Sequence, residues 1–193
     1  DSTIVTLPMG DEVQLWDEYN PSLYKLTAIL GNGAVKQTTF GMREFSIKGR
    51  MFYCNGREVM LRGTVENCNF PLTGYAPMDE KSWEHVFRKC RSFGLNHMRF
   101  HSYCPPEAAF EAADIVGFYL QPEGPSWPNH GVKLGNGMVI DKYLMTETQR
   151  ITEDYGNHPS FCMLACGNEP SGNWVAWVSK FVDYWKSNDS RRV

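Results

Sequence analysis

Two textures of hydrophobic patterning divide the chain. Over the first forty-odd residues, short β-prone runs (Thr3 to Leu7, Glu12 to Trp16, Tyr24 to Leu30) are broken by Gly10, Asn20-Pro21 and Gly31-Asn32-Gly33, which predicts antiparallel β structure. Two or three such strands cannot bury both faces of a sheet. They must pack on the remainder of the chain or end a larger sandwich that begins upstream. From Glu44 onward, Phe45 to Lys48 and Met51 to Tyr53, with the turn Asn55-Gly56, read as short strands and a hairpin leading into Val59-Met60-Leu61-Arg62-Gly63.

Strand and helix then alternate. Asp79 is a competent N-cap for a helix running to Phe93, with Trp83, Val86, Phe87 and Cys90 at three- and four-residue steps and Gly94 as its stop. The strand Leu95 to Phe100 follows. A second helix opens at Pro105-Pro106 and turns Ala109, Phe110, Ala113 and Val116 toward a core before Gly117, after which Phe118 to Gln121 is a strand. Beyond a Pro- and Gly-rich loop (Pro122 to Gly137), a helix from Asp141 to Tyr155 aligns Leu144, Thr148, Ile151 and Tyr155. Phe161 to Ala165 is an apolar strand. The last helix, Asn173 to Lys186, repeats Trp174, Trp177, Val178, Phe181, Val182 and Trp185 on one face, a stripe read as core-facing before it is read as a sugar platform.

Four strand–helix units from Val59, with strands apolar on both faces, predict a parallel sheet covered by helices, in the α/β class. An open doubly wound sheet and a (β/α)-barrel both fit. A complete eight-fold barrel takes ~250 residues, so four units amount to about half of one.

Composition narrows the partners more than the fold. In 193 residues there are 19 Lys+Arg against 22 Asp+Glu, a net charge of −3 without a basic run, so nucleic acid and anionic membrane surfaces are not expected. No apolar stretch approaches the ~18 to 20 residues of a membrane-crossing helix. The six cysteines (Cys54, Cys68, Cys90, Cys104, Cys162, Cys166) form no C-x-x-C pair, and Cys162 and Cys166 on a strand would stand roughly 13 Å apart. They are expected as small buried thiols rather than metal ligands or disulfides.

In parallel α/β folds, reactive groups gather at the carboxyl ends of the strands. Those positions here carry Glu66, Asn67 and Asn69, then Arg99, His101 and Tyr103, then Glu123 and Trp127, then Asn168 and Glu169. Carboxylates, amides, a histidine and an indole together suit a carbohydrate: polar groups bind hydroxyls and an aromatic face stacks on the ring. Glycoside hydrolysis needs one carboxylic acid to protonate the leaving oxygen and, in retaining enzymes, a second ~5 to 5.5 Å away to attack the anomeric carbon. Partial burial of Glu169 between an apolar strand and a Trp-rich helix would favour the neutral acid. Plainer readings stand beside this one: Glu169 as a helix-start carboxylate before Pro170, Arg99 and Glu123 as a structural ion pair, His101 as a core histidine. No phosphate-binding glycine motif occurs.

Several ordered motifs carry a family resemblance. Asn157-His158-Pro159-Ser160, an apolar strand and Gly167-Asn168-Glu169 resemble the acid/base signature of glycoside hydrolase family 2, the β-galactosidase and β-glucuronidase family. Phe40-Gly41-Met42-Arg43, Asn55-Gly56-Arg57-Glu58-Val59 and Leu61-Arg62-Gly63 resemble its barrel entry, and Gly94-Leu95-Asn96-His97-Met98-Arg99 its second strand. Leu15-Trp16 with Pro21-Ser22-Leu23-Tyr24 resembles the end of the immunoglobulin-like domain before the barrel. The resemblance implies residues 1–44 as the last strands of that sandwich and 45–193 as the first half of a (β/α)8 TIM barrel.

It further implies Glu169 as general acid/base of a retaining exo-β-glycosidase, Asn168 as donor to the sugar 2-hydroxyl, Arg99 as positioner of carboxylates, and His101, Glu123, Asn67 and Trp127 in the sugar subsite. The family's nucleophilic glutamate lies on a later strand, so this chain is expected to lack it and to be inactive alone. A half-barrel also leaves two sheet edges unpaired and the apolar inner face of its strands uncovered, so it is expected to self-associate. Two departures stand out: the His-rich loop after the first strand reads Glu66-Asn67-Cys68-Asn69-Phe70, and Ser-His-Tyr after the second reads His101-Ser102-Tyr103. Some members hold magnesium through a Glu and a His after strand three. His130 could fill one place, but no second carboxylate follows Glu123 in that loop, so no essential metal or other cofactor is expected. Periplasmic or secreted placement is the expectation for polysaccharide-degrading relatives. Two rival classes remain: a catalytically silent carbohydrate-binding module using Trp127, Arg99 and Asn168, and a complete doubly wound α/β hydrolase using Glu123 and Glu169 as its carboxylate pair.

Overall fold

The computed structural model describes residues 4–127 and 131–193. Its centre is a parallel sheet, β6 (Gly63–Glu66), β7 (His97–Phe100) and β8 (Tyr119–Gln121), preceded by an antiparallel hairpin of β1 (Tyr24–Ile29) and β2 (Val35–Phe40) and a meander of β3 (Phe45–Lys48), β4 (Met51–Cys54) and β5 (Arg57–Val59). The register sets Gly63 beside His97 and His97 beside Tyr119, and Val65 beside Arg99 and Arg99 beside Gln121. Phe161 to Ala165 continues the sheet through two parallel bridges, Leu120 to Phe161 and Glu123 to Ala165, rather than as the full strand the pattern predicts. On its far side Val193 donates to the Cys162 carbonyl (3.0 Å) and accepts from Leu164 N–H (3.1 Å). The arc does not close on itself.

The first parallel strand begins later than the sequence suggests. Val59 belongs to the meander, because Asn55 and Gly56 both take positive φ (53° and 76°) and fold β5 back onto β4. Among the N-terminal runs, residues 4 to 7 form no strand and Leu15-Trp16 only isolated bridges, while β2 was not foreseen because its Lys36, Gln37, Thr38 and Thr39 give no apolar run. Gly33, at φ 85°, allows the turn that pairs β1 with β2.

Among the described residues four helices accompany these strands: α1 (Glu80–Ser92), α2 (Glu107–Val116), α3 (Val139–Tyr155) and α4 (Trp174–Asn188). Asp79 caps α1 by accepting from Ser82 N–H (2.9 Å), and α2 ends at Gly117 in the left-handed conformation. Alternation along β7 and β8 sends Met98, Phe100 and Leu120 outward, where with Phe161 they join Trp83 and Phe87 of α1 and Phe110, Ala113 and Val116 of α2 in the main core. A second core seats Trp16, Phe45, Cys54 and Val59 against Tyr119, Cys162 and Met163, plugging the sheet at the start of β8.

The segment before the meander is rooted on the same body. Trp16 Nε1 donates to the Asp114 carbonyl (2.8 Å), and Arg43 donates to the carbonyls of Pro159 (2.8 Å) and Phe161 (2.7 Å). Asp114 holds the entry to the fourth strand position, accepting from Ser160 N–H (2.9 Å) and pairing with His158 Nδ1 (2.6 Å). The stripe of α4 departs from expectation. Only Phe181 on it is buried, whereas Trp174, Val175 and Val182 are exposed, since no neighbouring helix among the described residues covers that face.

Candidate active site

The polar residues expected at the strand ends do converge. Arg99 lies on β7 at the register of Val65 and Gln121, so its side chain leaves the face opposite the main core and reaches across two neighbouring strand ends. Its Nε donates to Glu123 Oε1 (2.5 Å) and its Nη2 to Asn168 Oδ1 (2.7 Å). Glu123 is 1% exposed, and its second oxygen accepts from the Ser102 backbone N–H (2.8 Å). Both carboxylate oxygens are thus engaged, which is what a buried charge requires. The structural ion-pair reading of Arg99 and Glu123 is correct as geometry, and the same guanidinium also orients Asn168.

Asn168 and Glu169 lie in the loop between Ala165 and α4. This loop lies unusually close to the one after β8. Gly124 N–H donates to the Ala165 carbonyl (2.9 Å), and Asn168 N–H donates to the Ser126 carbonyl (2.8 Å). Gly167 takes φ 144°, and a Cβ there would stand 2.5 Å from the Ser126 carbonyl oxygen, so only glycine permits the approach. Glu169 itself takes φ 42°, a left-handed conformation costly for a residue with a Cβ and characteristic of functional loops. Its carboxylate Oε2 accepts from the indole Nε1 of Trp127 (3.1 Å). The Trp127 ring meets His101 edge to face at 4.7 Å, and His101 Nδ1 lies 3.0 Å from the Ser102 hydroxyl.

Three expectations need correction. Glu169 is exposed, not partly buried, because the loop carries it past Asn168 to the rim. It is not a helix-start carboxylate either, since α4 begins at Trp174 with Asn173 as its cap. Tyr103 belongs to the helix-facing core, packed edge to face on Phe100 (5.6 Å), and not to the polar cluster.

Asn67 is exposed on the loop after β6, and among the described residues no hydrogen bond ties its side chain to the Arg99 cluster. That loop is organised by Glu66, which accepts from Asn69 N–H (3.3 Å); desolvation holds its carboxyl above the usual range, against the opposing pull of backbone N–H groups at Cys68, Asn69 and Asn67. Ser102 and Ser126 were missed because both act through backbone groups, which a sequence does not display. The adjacent Gly124 and Gly167 were the available signal.

The cysteines are all free; Cys54, Cys162 and Cys166 are buried and Cys68 is exposed, against the expectation of burial. Desolvation pushes the Cys54 thiol up to about 12 and the Cys162 and Cys166 thiols to about 11, which keeps them inert. Among the described residues no three His, Cys, Asp or Glu side chains are grouped to hold a metal ion, and His130 lies outside those residues. No helix among them is long and apolar enough to cross a membrane.

Comparison with known proteins decides the family. The family model "Glycosyl hydrolases family 2, TIM barrel domain" matches residues 45–193. The chain belongs to glycosyl hydrolase family 2. Its sheet is therefore an arc of a TIM barrel, and the rival reading as a complete doubly wound fold is set aside. The chain is 32% identical over 173 residues to a "Putative beta-glucuronidase" of Formosa agariphila, covering 87% of this chain and 20% of that one. It is 28% identical over 188 residues to a beta-galactosidase of Lactococcus lactis, covering 93% and 18%. It thus spans about a fifth of the length of these relatives. Among solved structures, the beta-glucuronidase of Parabacteroides merdae superposes with TM-score 0.75 at 24% identity, over 93% of this chain and 24% of that one. A beta-galacturonidase of Eisenbergiella tayi superposes with TM-score 0.77 at 20% identity, over 92% and 32%. These two likenesses speak to the fold of the family 2 arc.

Proposed function

We propose that this segment supplies the general acid/base of a retaining exo-β-glycosidase, with Glu169 in that role. The observation that carries the reading is the pair Asn168–Glu169, lifted to the rim of the strand ends by a close-packed loop, with Asn168 fixed by Arg99 and Glu169 held in a left-handed backbone conformation. In this reading Glu169 protonates the departing oxygen as the anomeric bond breaks, then takes a proton from the water that releases the sugar. The Asn168 amide nitrogen, left free to donate while its oxygen accepts from Arg99, binds the sugar's 2-hydroxyl. His101 and Asn67 border the same subsite.

The nucleophile is assigned to a carboxylate outside these 193 residues. Glu123 is a poor candidate, since Arg99 and Ser102 N–H occupy both its oxygens. No second carboxylate follows Glu123 in its loop, so no essential metal is invoked. Residues 1–44 are assigned to the end of a preceding immunoglobulin-like sandwich, on the strength of the β1–β2 hairpin and the match beginning at residue 45.

The test is turnover of nitrophenyl β-D-glucuronide, galactoside and galacturonide by a full-length protein carrying this segment, beside the 193-residue chain alone. Turnover by the full-length protein is expected to fall about 10²- to 10⁴-fold with Glu169→Gln, with none by the short chain. Hydrolysis that survives Glu169→Gln, or that the short chain performs, removes Glu169 or the missing-nucleophile reading respectively. Sugar binding without turnover by the full-length protein would favour the binding-module class.

A further inference from the structure

The indole of Trp127 does not sit as a sugar platform would. Its N–H points at Glu169 Oε2 and its ring is fixed against the edge of His101. We propose that Trp127 is the positioning residue that selects which oxygen of Glu169 carries the reacting proton. The inference rests on the reading of Glu169 as the general acid.

An indole's hydrogen-bonding capacity dictates the chemistry. Trp offers a donor and no acceptor, so it favours the stronger acceptor of a neutral carboxyl, the unprotonated carbonyl oxygen, on the side that faces it. With Oε2 accepting the indole N–H, the acidic proton of neutral Glu169 resides on Oε1. Transfer then runs from Oε1 to the leaving-group oxygen, which receives the electron pair of the breaking C–O bond, and Glu169 is left as a carboxylate. At that moment the hydrogen bond from Trp127 becomes charge-assisted and strengthens, so it stabilises the transition state more than the ground state.

The supporting frame is tight. Trp127 follows Ser126, whose carbonyl holds Asn168 N–H, so the indole and the Glu169 backbone are referenced to one loop contact. Arg99 fixes Asn168 from one neighbouring strand end, and Trp127 fixes Glu169 from another. Rotation of the Glu169 side chain away from the leaving group would break the indole bond, and movement of the indole would disturb the ring contact with His101.

Leaving-group dependence tests the proposal in a full-length protein carrying this segment. Phenyl β-D-glycosides need protonation of a poor leaving group, whereas 2,4-dinitrophenyl β-D-glycosides do not, so the two report acid catalysis and everything else respectively. The glycone is whichever of glucuronic acid, galactose or galacturonic acid the unmodified protein accepts. For Trp127→Phe we expect kcat/KM on the phenyl substrate to fall tenfold or more, in kcat, with less than a threefold loss on the dinitrophenyl substrate. Equal losses carried by KM would make the indole a sugar-stacking surface and overturn the proposal, and so would no loss on either. If the phenylalanine variant does not fold, replacement of Trp127 by β-(3-benzothienyl)alanine keeps the bicyclic shape and deletes only the N–H, and the same split is expected. Glu169→Gln separates the two readings: without a phenyl-selective loss there, Glu169 is not the acid, whatever Trp127 does.

Discussion

Helices α1 and α4 carry the same kind of message in different surroundings. Each is amphipathic and each lines up large aromatic residues, Trp83 and Phe87 in the one and Trp174, Trp177, Phe181 and Trp185 in the other. On α1 both aromatics are fully buried, stacked on one another with ring centroids 5.8 Å apart and continued by Phe118 at 5.0 Å from Phe87. On α4, Phe181 is 3% exposed while Trp174 is 41% and Val175 60% exposed. The stripe therefore specifies a face to be covered, and a neighbour decides whether it is. α1 has α2 beside it and the outer face of β7 beneath it; α4 meets Leu164, the β3–β4 turn and the last residues along part of its length and touches α3 through the Gln149–Tyr184 hydrogen bond (2.7 Å).

The comparison predicts unequal costs for like substitutions. Phe87→Ala should destabilise the chain by about 3 to 5 kcal/mol, since it opens a cavity in a closed core. Phe181→Ala should cost roughly half as much or less, because its surroundings can collapse into a groove already open to solvent. Urea unfolding of the two variants measures the ratio, and equal costs would show that α4 is as well supported as α1.

Acid should act through the inner face of the sheet, the side of β7 that carries Arg99. His97 opens β7, buried between Gly63 and Tyr119, and desolvation holds its imidazole well below the ordinary value, at about 4 against 6.5. Between pH 6.5 and 4 the unfolded chain takes up a proton that the folded chain refuses. Stability is thus complete above about 6.5 and declines as the pH falls through that window, by at most ~1.4 kcal/mol per pH unit. Urea midpoints at pH 7 and pH 5 should differ in the native chain and converge with His97→Gln; an unchanged difference would place the acid-sensitive group elsewhere.

The smallest effect in stability belongs to the uncovered face. Lysine at Trp174 and Val182 should change unfolding free energy by no more than about 0.5 kcal/mol, as exposed substitutions do. The same pair should, however, shift association. The 193-residue chain is expected to self-associate through its exposed apolar stripe, and the double variant to sediment nearer the monomer. A monomeric unsubstituted chain would mean that this face is less adhesive than its exposure implies.

Much of the architecture was legible because periodicity and punctuation agree. The α1 and α2 boundaries fall within two residues of those read from Asp79, Gly94, Pro106 and Gly117, where capping and backbone chemistry act locally. The order of strands and helices was also local information. Harder to see were β2, whose polar residues give no strand signal, and the start of the first barrel strand, which Asn55-Gly56 shifts by assigning Val59 to the meander. In the site, the sequence named Arg99, Glu123, Asn168, Glu169, Trp127 and His101, and the structure brings these six together. The sequence offered the Arg99–Glu123 pair as one reading, but not the bond from Arg99 to Asn168, which crosses 69 positions of chain.

What the sequence determined alone was the repertoire: which segments turn which face inward, where each element stops, and which polar groups stand at strand ends. Those are properties of a few consecutive residues, set by backbone sterics and the periods of helix and strand. Tertiary structure decided that α1 is sheathed and α4 is not, that Gly167 lets two loops touch, and that Glu169 emerges at the rim with Trp127 on one oxygen. Each of these depends on which distant groups share a neighbourhood. Burial, charge pairing and the choice of a hydrogen-bond partner are energies of proximity, and proximity across tens of residues exists only once the chain has folded.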